Sequence, residues 1–310
     1  MNNMRLSTLL YVSIISLLVI SILFIAIVNM RAMNKLVEIA EVDSMSDLGK
    51  SAMEELAAEG RLATAMAALV AKKPSTIKAL SDQDRPILNQ EYVPGFANMK
   101  SDFSVRQFQF HLPPAESFFR VHKPEKFGDD LSGFRKTVLD VNNNSRPARG
   151  LEVGVASLGM RGVYPVVDGR THVGSIEFGM SFGQPFFDKF KKKFGAEISL
   201  SLYREGKFEL FASTIKGNAI AENENIRRVF NSEKVQLIYK GIGDKEYAVT
   251  MDVVRNFSNE PIGVLVIARD RQKYLDMLSE NRWSIFGVVI LALIVGVFAV
   301  RFICSRICLL

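Results

Sequence analysis

The chain has only two cysteines, Cys304 and Cys308, both among its last seven residues. Everything before them lacks a disulfide framework, so whatever folds there is held by its own core. Two thiols one helical turn apart, without further ligands, make a poor metal site. They are read as small residues near a membrane interface, with palmitoylation as the alternative. Histidine is scarce as well: His111, His122 and His172 are the whole supply. The first two are flanked by prolines and have no Asp or Cys at ligand spacing, so no metal is expected. His172 is expected to face solvent beside a turn. The motifs Gly-x-Ser-x-Gly and His-Glu-x-x-His and the phosphate-binding loop are absent, which leaves no basis for an enzyme or a cofactor. Acidic residues are missing from both ends. All 33 lie within residues 31–282, and of the 39 basic residues only Arg5, Arg301 and Arg306 lie outside that stretch, leaving it a net charge of +3. So slight an excess is ordinary for a soluble domain and gives no case for nucleic-acid binding.

What the ends hold instead is apolar sequence. Residues 6–30 lie between Arg5 and Arg31, and a second run extends from Trp283 to about residue 303. A helix needs roughly 20 apolar residues to cross a bilayer, and both runs qualify. The first is too long for the core of a cleaved signal peptide, and no small-x-small site follows it, so it reads as an uncleaved anchor. Flanking charges balance, and a long loop crosses largely regardless of its charge. Residues 31–282 are therefore expected outside the cell membrane, with residues 1–5 and 304–310 as cytoplasmic ends.

From residue 33 to 72, Leu36, Ile39, Leu48, Ala52, Leu56, Leu62, Met66 and Leu69 recur at helical spacing. A helix of that length serves a dimer interface and a mechanical connection, or packs one face on its own domain. Ser75 is the expected cap of a short helix over residues 76–80. Alternation in Gln107-Phe108-Gln109-Phe110-His111 predicts a strand, and residues 117–122 predict another. Asp129 or Asp130 is the expected cap of a helix through Arg135 to residue 141. Strands follow at residues 150–158, 162–167 and 172–182, with Asp168-Gly169 as a hairpin turn. Residues 184–194 and 222–231 read as helices; 196–204, 207–212, 235–240, 246–256 and 261–269 read as strands. A last helix over residues 271–282 enters the second apolar run. The pattern is α+β, with two tandem antiparallel sheets between two membrane helices.

The run Phe110-His111-Leu112-Pro113-Pro114-Ala115-Glu116-Ser117-Phe118-Phe119-Arg120-Val121-His122-Lys123-Pro124 resembles a known family. So do Phe127-Gly128-Asp129-Asp130-Leu131, Arg149-Gly150-Leu151-Glu152-Val153-Gly154 and His172-Val173-Gly174-Ser175-Ile176-Glu177-Phe178-Gly179. Together they resemble the double-Cache extracytoplasmic sensor domains of bacterial chemoreceptors, sensor histidine kinases and diguanylate cyclases. The likeness covers residues 62–277 and is most specific over 110–182. It implies two stacked PAS-like modules, here residues 74–183 (membrane-distal) and 184–278 (membrane-proximal), behind a stalk at 31–73. A linker and second membrane helix occupy 279–303. The resemblance further implies a small ligand in the distal module and signalling through membrane helices in a homodimer. Members of the family continue into a HAMP linker and an output domain. Residues 301–310 stand where that linker would begin, so the chain is expected to be the input part of a longer receptor, or else a stand-alone sensor.

Candidate ligand residues are His111, Phe118, Arg120, His122, Lys123, Glu152, Arg161, Tyr164 and Glu177. Along a strand Phe118, Arg120 and His122 share one face, and Lys123 lies on the other. Arg120 and Arg161 suit the bidentate recognition of a carboxylate, while Glu152, Tyr164 and Glu177 suit an amine or hydroxyl. A small organic anion or zwitterion is the expected partner. Two alternatives remain open: these charges pair with one another, as Arg120–Glu177 or Arg161–Glu152, or the protein is a membrane-anchored scaffold whose Cache-like fold binds no ligand.

Overall fold

The computed structural model describes residues 6–154, 158–215 and 220–307. Outside the described residues lie residues 1–5 and 308–310 of the two expected cytoplasmic ends, Cys308 among them, the Cys304 side chain, and residues 155–157 of the expected 150–158 strand. The chain divides into two compact units: residues 45–238 with 249–269, and residues 1–44 with 239–248 and 270–310.

Helix α1, Leu6–Ala71, is continuous over 66 residues. Its buried positions are Val37, Glu41, Met45, Leu48, Ala52, Leu56, Gly60, Ala63, Ala67 and Ala71, every third or fourth residue as one helix face requires. The anticipated stripe is partly displaced, because Leu36, Ile39, Leu62 and Leu69 are exposed. Alanines take their place where the backbone must come close to a sheet. α2 (Pro74–Ser81) starts at a proline, which needs no amide partner in the first turn. Ser75 does not cap it; its hydroxyl bonds the Glu91 carboxylate at 2.9 Å. Two helices of eight residues follow unannounced, α3 (Arg85–Tyr92), capped by Asp84, and α4 (Phe96–Phe103).

The first sheet consists of β1 (Val105–Leu112), β2 (Glu116–Arg120), β3 (Ala148–Val153), β4 (Leu158–Asp168) and β5 (Thr171–Ser181), in the order β2-β1-β5-β4-β3. Asp168 and Thr171 close the expected hairpin. Two strands were anticipated in place of β3 and β4 with wrong limits, since β4 begins at Leu158 and runs for 11 residues through Gly159 and Gly162. Those glycines are not breaks. A Cβ on Gly162 would overlap the backbone of Ala63 and Thr64 in α1, so this strand meets the helix backbone there. One sheet face thus packs on helices, with Phe108 and Phe178 stacked at 4.2 Å and Tyr92 of α3 edge-on to Phe108. The other face is covered by the segment after β2 and by α5 (Lys136–Asn144). The helix begins later than expected, and neither Asp129 nor Asp130 caps it; Asp130 accepts from Ser132 instead.

In the second module α6 (Gln184–Phe194) precedes β6 (Glu197–Arg204) and β7 (Lys207–Ser213), and α7 (Asn223–Ser232) precedes β8 (Gln236–Ile242), β9 (Lys245–Arg255) and β10 (Pro261–Asp270). The order β7-β6-β10-β9-β8 repeats that of the first sheet. In the β9–β10 turn, the Phe257 amide donates to Leu151 O on β3 at 2.8 Å, and its ring packs against the Val138, Val141, Ala148 and Val163 cluster. α8 (Gln272–Ile307) ends the described chain. Near its start, Arg271 forks onto Glu41 of α1 at 2.8 and 2.9 Å. Val12–Ala71 and Gln272–Phe302 are long and apolar enough to cross a membrane.

Candidate functional site

Strand alternation sends Gln107, Gln109 and His111 of β1 to the face opposite Phe108 and Phe110. Registration then assembles a polar surface. Gln109 lies beside Arg120 on β2 and Glu177 on β5; Gln107 lies beside Gly179, which pairs with Arg161 on β4; His111 lies between Ser117 and Ser175. Glu152 joins from β3 opposite Gly159. His111, Glu152, Arg161, Glu177 and Arg120 are all at least nine-tenths buried. This is an interior sheet face with the composition of a surface. Buried polar groups survive only when they find partners.

Glu177 is the hub. Its Oε2 is ion-paired with Arg135 Nη2 and lies 3.2 Å from His111 Nε2; its Oε1 is 3.3 Å from Arg161 Nη1. Burial pushes this carboxyl up, but Arg135, the His111 hydrogen bond and Arg161 outweigh it and hold Glu177 well below the ordinary range. Burial also lowers His111, which stays neutral. Arg161 is pushed down to about 10, by burial first and by Arg135 second. Burial lowers Arg135 too, yet Glu177 and Glu152 reverse that and raise it. Room for Arg161 comes from glycine, because a Cβ on Gly179 would overlap its guanidinium and one on Gly159 would press on it.

Glu152 has a different task from its neighbour. Its carboxylate accepts from Thr137 N at 2.7 Å and Thr137 Oγ1 at 2.8 Å, and lies 3.5 Å from Arg135 Nε. It is a cap supplied from β3 to the first turn of α5, satisfying an amide that has no partner within the helix. Burial raises its pKa. Arg120 donates to Gln109 Oε1, Lys126 O and Asp129 Oδ2 at 3.2, 2.8 and 2.7 Å, and so ties the segment after β2 to the sheet.

Not every anticipated residue joins this face. The register shifts between Phe110 and His111, leaving Phe118 without a cross-strand partner. Arg85 lies 4.6 Å from its ring centroid. β2 ends at Arg120, so His122 does not continue its face; its Nδ1 sits 3.2 Å from Phe108 O. Lys123 is exposed. Tyr164 points to the helix side, its ring under Lys72, because it is one residue out of phase with Arg161 and Val163. His172 is not free in solvent but lies 3.0 Å from Asn142 Oδ1. The ion pairs are also redistributed: Arg120 meets Asp129 rather than Glu177, and Arg161 meets Glu177 rather than Glu152. Arg135 was missed, having been read as part of a helix. Gln107 and Gln109 were visible in the alternation but read only as a strand signature. Among the described residues no three His, Cys, Asp or Glu side chains are grouped to hold a metal.

The profile of the double sensory domain of two-component sensor kinases matches residues 40–274. The chain belongs to this family. Among solved structures, this double sensory domain is similar to the ligand-binding domain of the Campylobacter jejuni chemoreceptor Tlp3 in complex with L-valine (8% identity, 79% of this chain, 97% of that chain, TM-score 0.48). It is also similar to the Vibrio cholerae LuxQ periplasmic domain (12%, 75% and 99%, 0.48) and to the sensor domain of the V. cholerae histidine kinase DctB (12%, 76% and 96%, 0.45). No curated protein sequence matches the chain significantly.

Proposed function

We propose that this double sensory domain is the extracytoplasmic input region of a bacterial inner-membrane receptor, and that it binds a small organic anion or zwitterion on the polar face of its membrane-distal sheet. One observation carries the reading: Arg120, Arg135 and Arg161 converge on an interior face whose buried carboxylates, among the described residues, are Glu152 and Glu177. Desolvated guanidinium groups are strong, oriented receptors for carboxylates. The two apolar helices, α1 and α8, are the route by which a bound ligand would bias the membrane segments, through different affinity for two arrangements. The exposed Leu36, Ile39, Leu62 and Leu69 of α1 support association with a second copy.

The internal pairing of Glu177 favours a second reading, a membrane-anchored scaffold with no ligand. Melting of the full chain in lipid nanodiscs, with a panel of amino acids, mono- and dicarboxylates and sugars, separates the two. A saturable rise in Tm with a carboxylate is expected, about 2.7 kcal/mol of added stability at a ligand concentration 100 times Kd. Arg161→Lys keeps the charge but loses the fork, and is expected to abolish the rise, while the surface change Lys100→Ala leaves it intact. A silent panel supports the scaffold; an unchanged response in Arg161→Lys removes the site from this face.

A further inference from the structure

Arg271 is the residue between β10 and α8, and its polar groups go to different elements. Its amide donates to Glu246 O on β9 at 3.0 Å, and its carbonyl accepts from the Tyr274 and Leu275 amides of α8 at 2.9 and 3.1 Å. Its guanidinium forks onto Glu41 of α1 through Nε and Nη2 and lies 3.9 Å from the ring centroid of Tyr239 on β8. Beside it, Lys245 at the start of β9 donates to Asp270 at 2.6 Å, and Asp270 accepts from Gln272 N at 2.8 Å. Residues 239–248, where β8 turns into β9, accordingly belong with α1 and α8 to one compact unit.

Glu41 is the unexpected partner. It lies on the buried stripe of α1 between Val37 and Met45 and is 1% exposed. Burying a carboxylate and a guanidinium strips both of water, and an apolar pair of similar size would pack there without loss of stability. What the ion pair adds over an apolar pair is position. A forked guanidinium seated on an aromatic ring fixes one place for the carboxylate, whereas leucine against leucine tolerates sliding. Fixing a register is the best attested use of such a buried pair. Both helices reach their apolar runs within 11 or 12 residues of it, roughly 17 Å along the helix axis.

We infer that Glu41, Arg271 and Tyr239 form a latch that holds α8 in one register against α1, and that two arrangements of the membrane helices differ in whether it is closed. With the latch closed, a displacement of the β8–β9 turn carries both helices together. With it open, α8 is free to shift along α1. The receptor reading supplies a use for that motion, but the latch depends on no ligand of the first sheet.

Pulsed electron resonance between two spin labels on the full chain in nanodiscs tests it. Cys304→Ser and Cys308→Ser remove the native thiols, and Leu36→Cys and Met277→Cys, both at exposed positions, carry the labels. Labelled chains are diluted with unlabelled ones so that distances within one chain are read. One narrow distance is expected with the pair intact. Glu41→Gln and Arg271→Lys are each expected to add a second population displaced by about 5 Å, one helical turn. Glu41→Leu combined with Arg271→Met is expected to show that second population with Tm unchanged or higher. This double variant separates a latch from a pair that merely stabilises, and it serves should a single variant not fold. A distance distribution that the variants leave unchanged overturns the latch, and so does a second population confined to variants whose Tm has fallen. Failure here leaves the ligand reading standing, and a silent melting panel leaves the latch standing.

Discussion

Glu177 brings two arginines and a histidine to one carboxylate on a buried sheet face. Replacing it with glutamine keeps the shape and removes the charge, leaving Arg135 and Arg161 buried against Glu152 alone. Loss of one partner in such a network costs about 3–5 kcal/mol, so Glu177→Gln is expected to lower the urea midpoint sharply, whereas Lys100→Ala leaves it in place. The same group gives a pH dependence with a definite sign. Its folded pKa is depressed, so its contribution is complete above the ordinary carboxylate range and is lost as pH falls through the folded value. His111 and His122, lowered by burial, act in the same direction: below about pH 6.5 the unfolded chain takes up their protons more readily. Glu152 is raised and opposes them, its contribution being lost as pH rises through its folded value. The expected net result is a Tm that declines steadily from pH 7.5 to 4 in thermal melts; a rise toward acid would contradict the assignment of Glu177 as the hub. Much of this network was legible in sequence. His111, Arg120, Glu152, Arg161 and Glu177 stood out as charges within strand-like runs. Arg135 did not, since nothing local separates an arginine that turns inward from the basic residues around it.

At the scale of elements, strands were easier to read than helix ends. Alternation and the Asp168-Gly169 turn located β1, β5 and the strands of the second module to within a residue or two. The start of α5 was misplaced because its cap comes from Glu152, 15 residues downstream of Thr137. A cap so remote leaves no sequence pattern. α3 and α4 escaped notice because eight residues hold barely two turns, too few for a period to show. Gly159 and Gly162 lie inside β4, where their missing side chains make room for Arg161 and α1 across space. Gly162→Ala is the direct probe of the α1 contact. The added methyl group has no free volume, so sheet and helix must separate, at an expected cost of 1–3 kcal/mol or more. Hydrogen exchange is expected to quicken in both β4 and residues 60–67 of α1; faster exchange in β4 alone would mean that the sheet is not braced there.

Across the whole molecule the two sheets share a strand order in which the first strand of each lies beside the last: β1 pairs with β5 and β6 with β10. Register partners such as Phe108 and Phe178 are therefore far apart along the chain. This has a consequence for biogenesis. A ribosome delivers β1 and β2 as a bare hairpin whose inner edge stays open until β5 arrives, and the same wait recurs from β6 to β10. Contacts of such long range form slowly, and an open strand edge invites wrong pairing with a neighbouring nascent chain. Each sensory sheet can close only when its last strand is made, so the final sheet is completed just before α8, the second apolar helix, is synthesised.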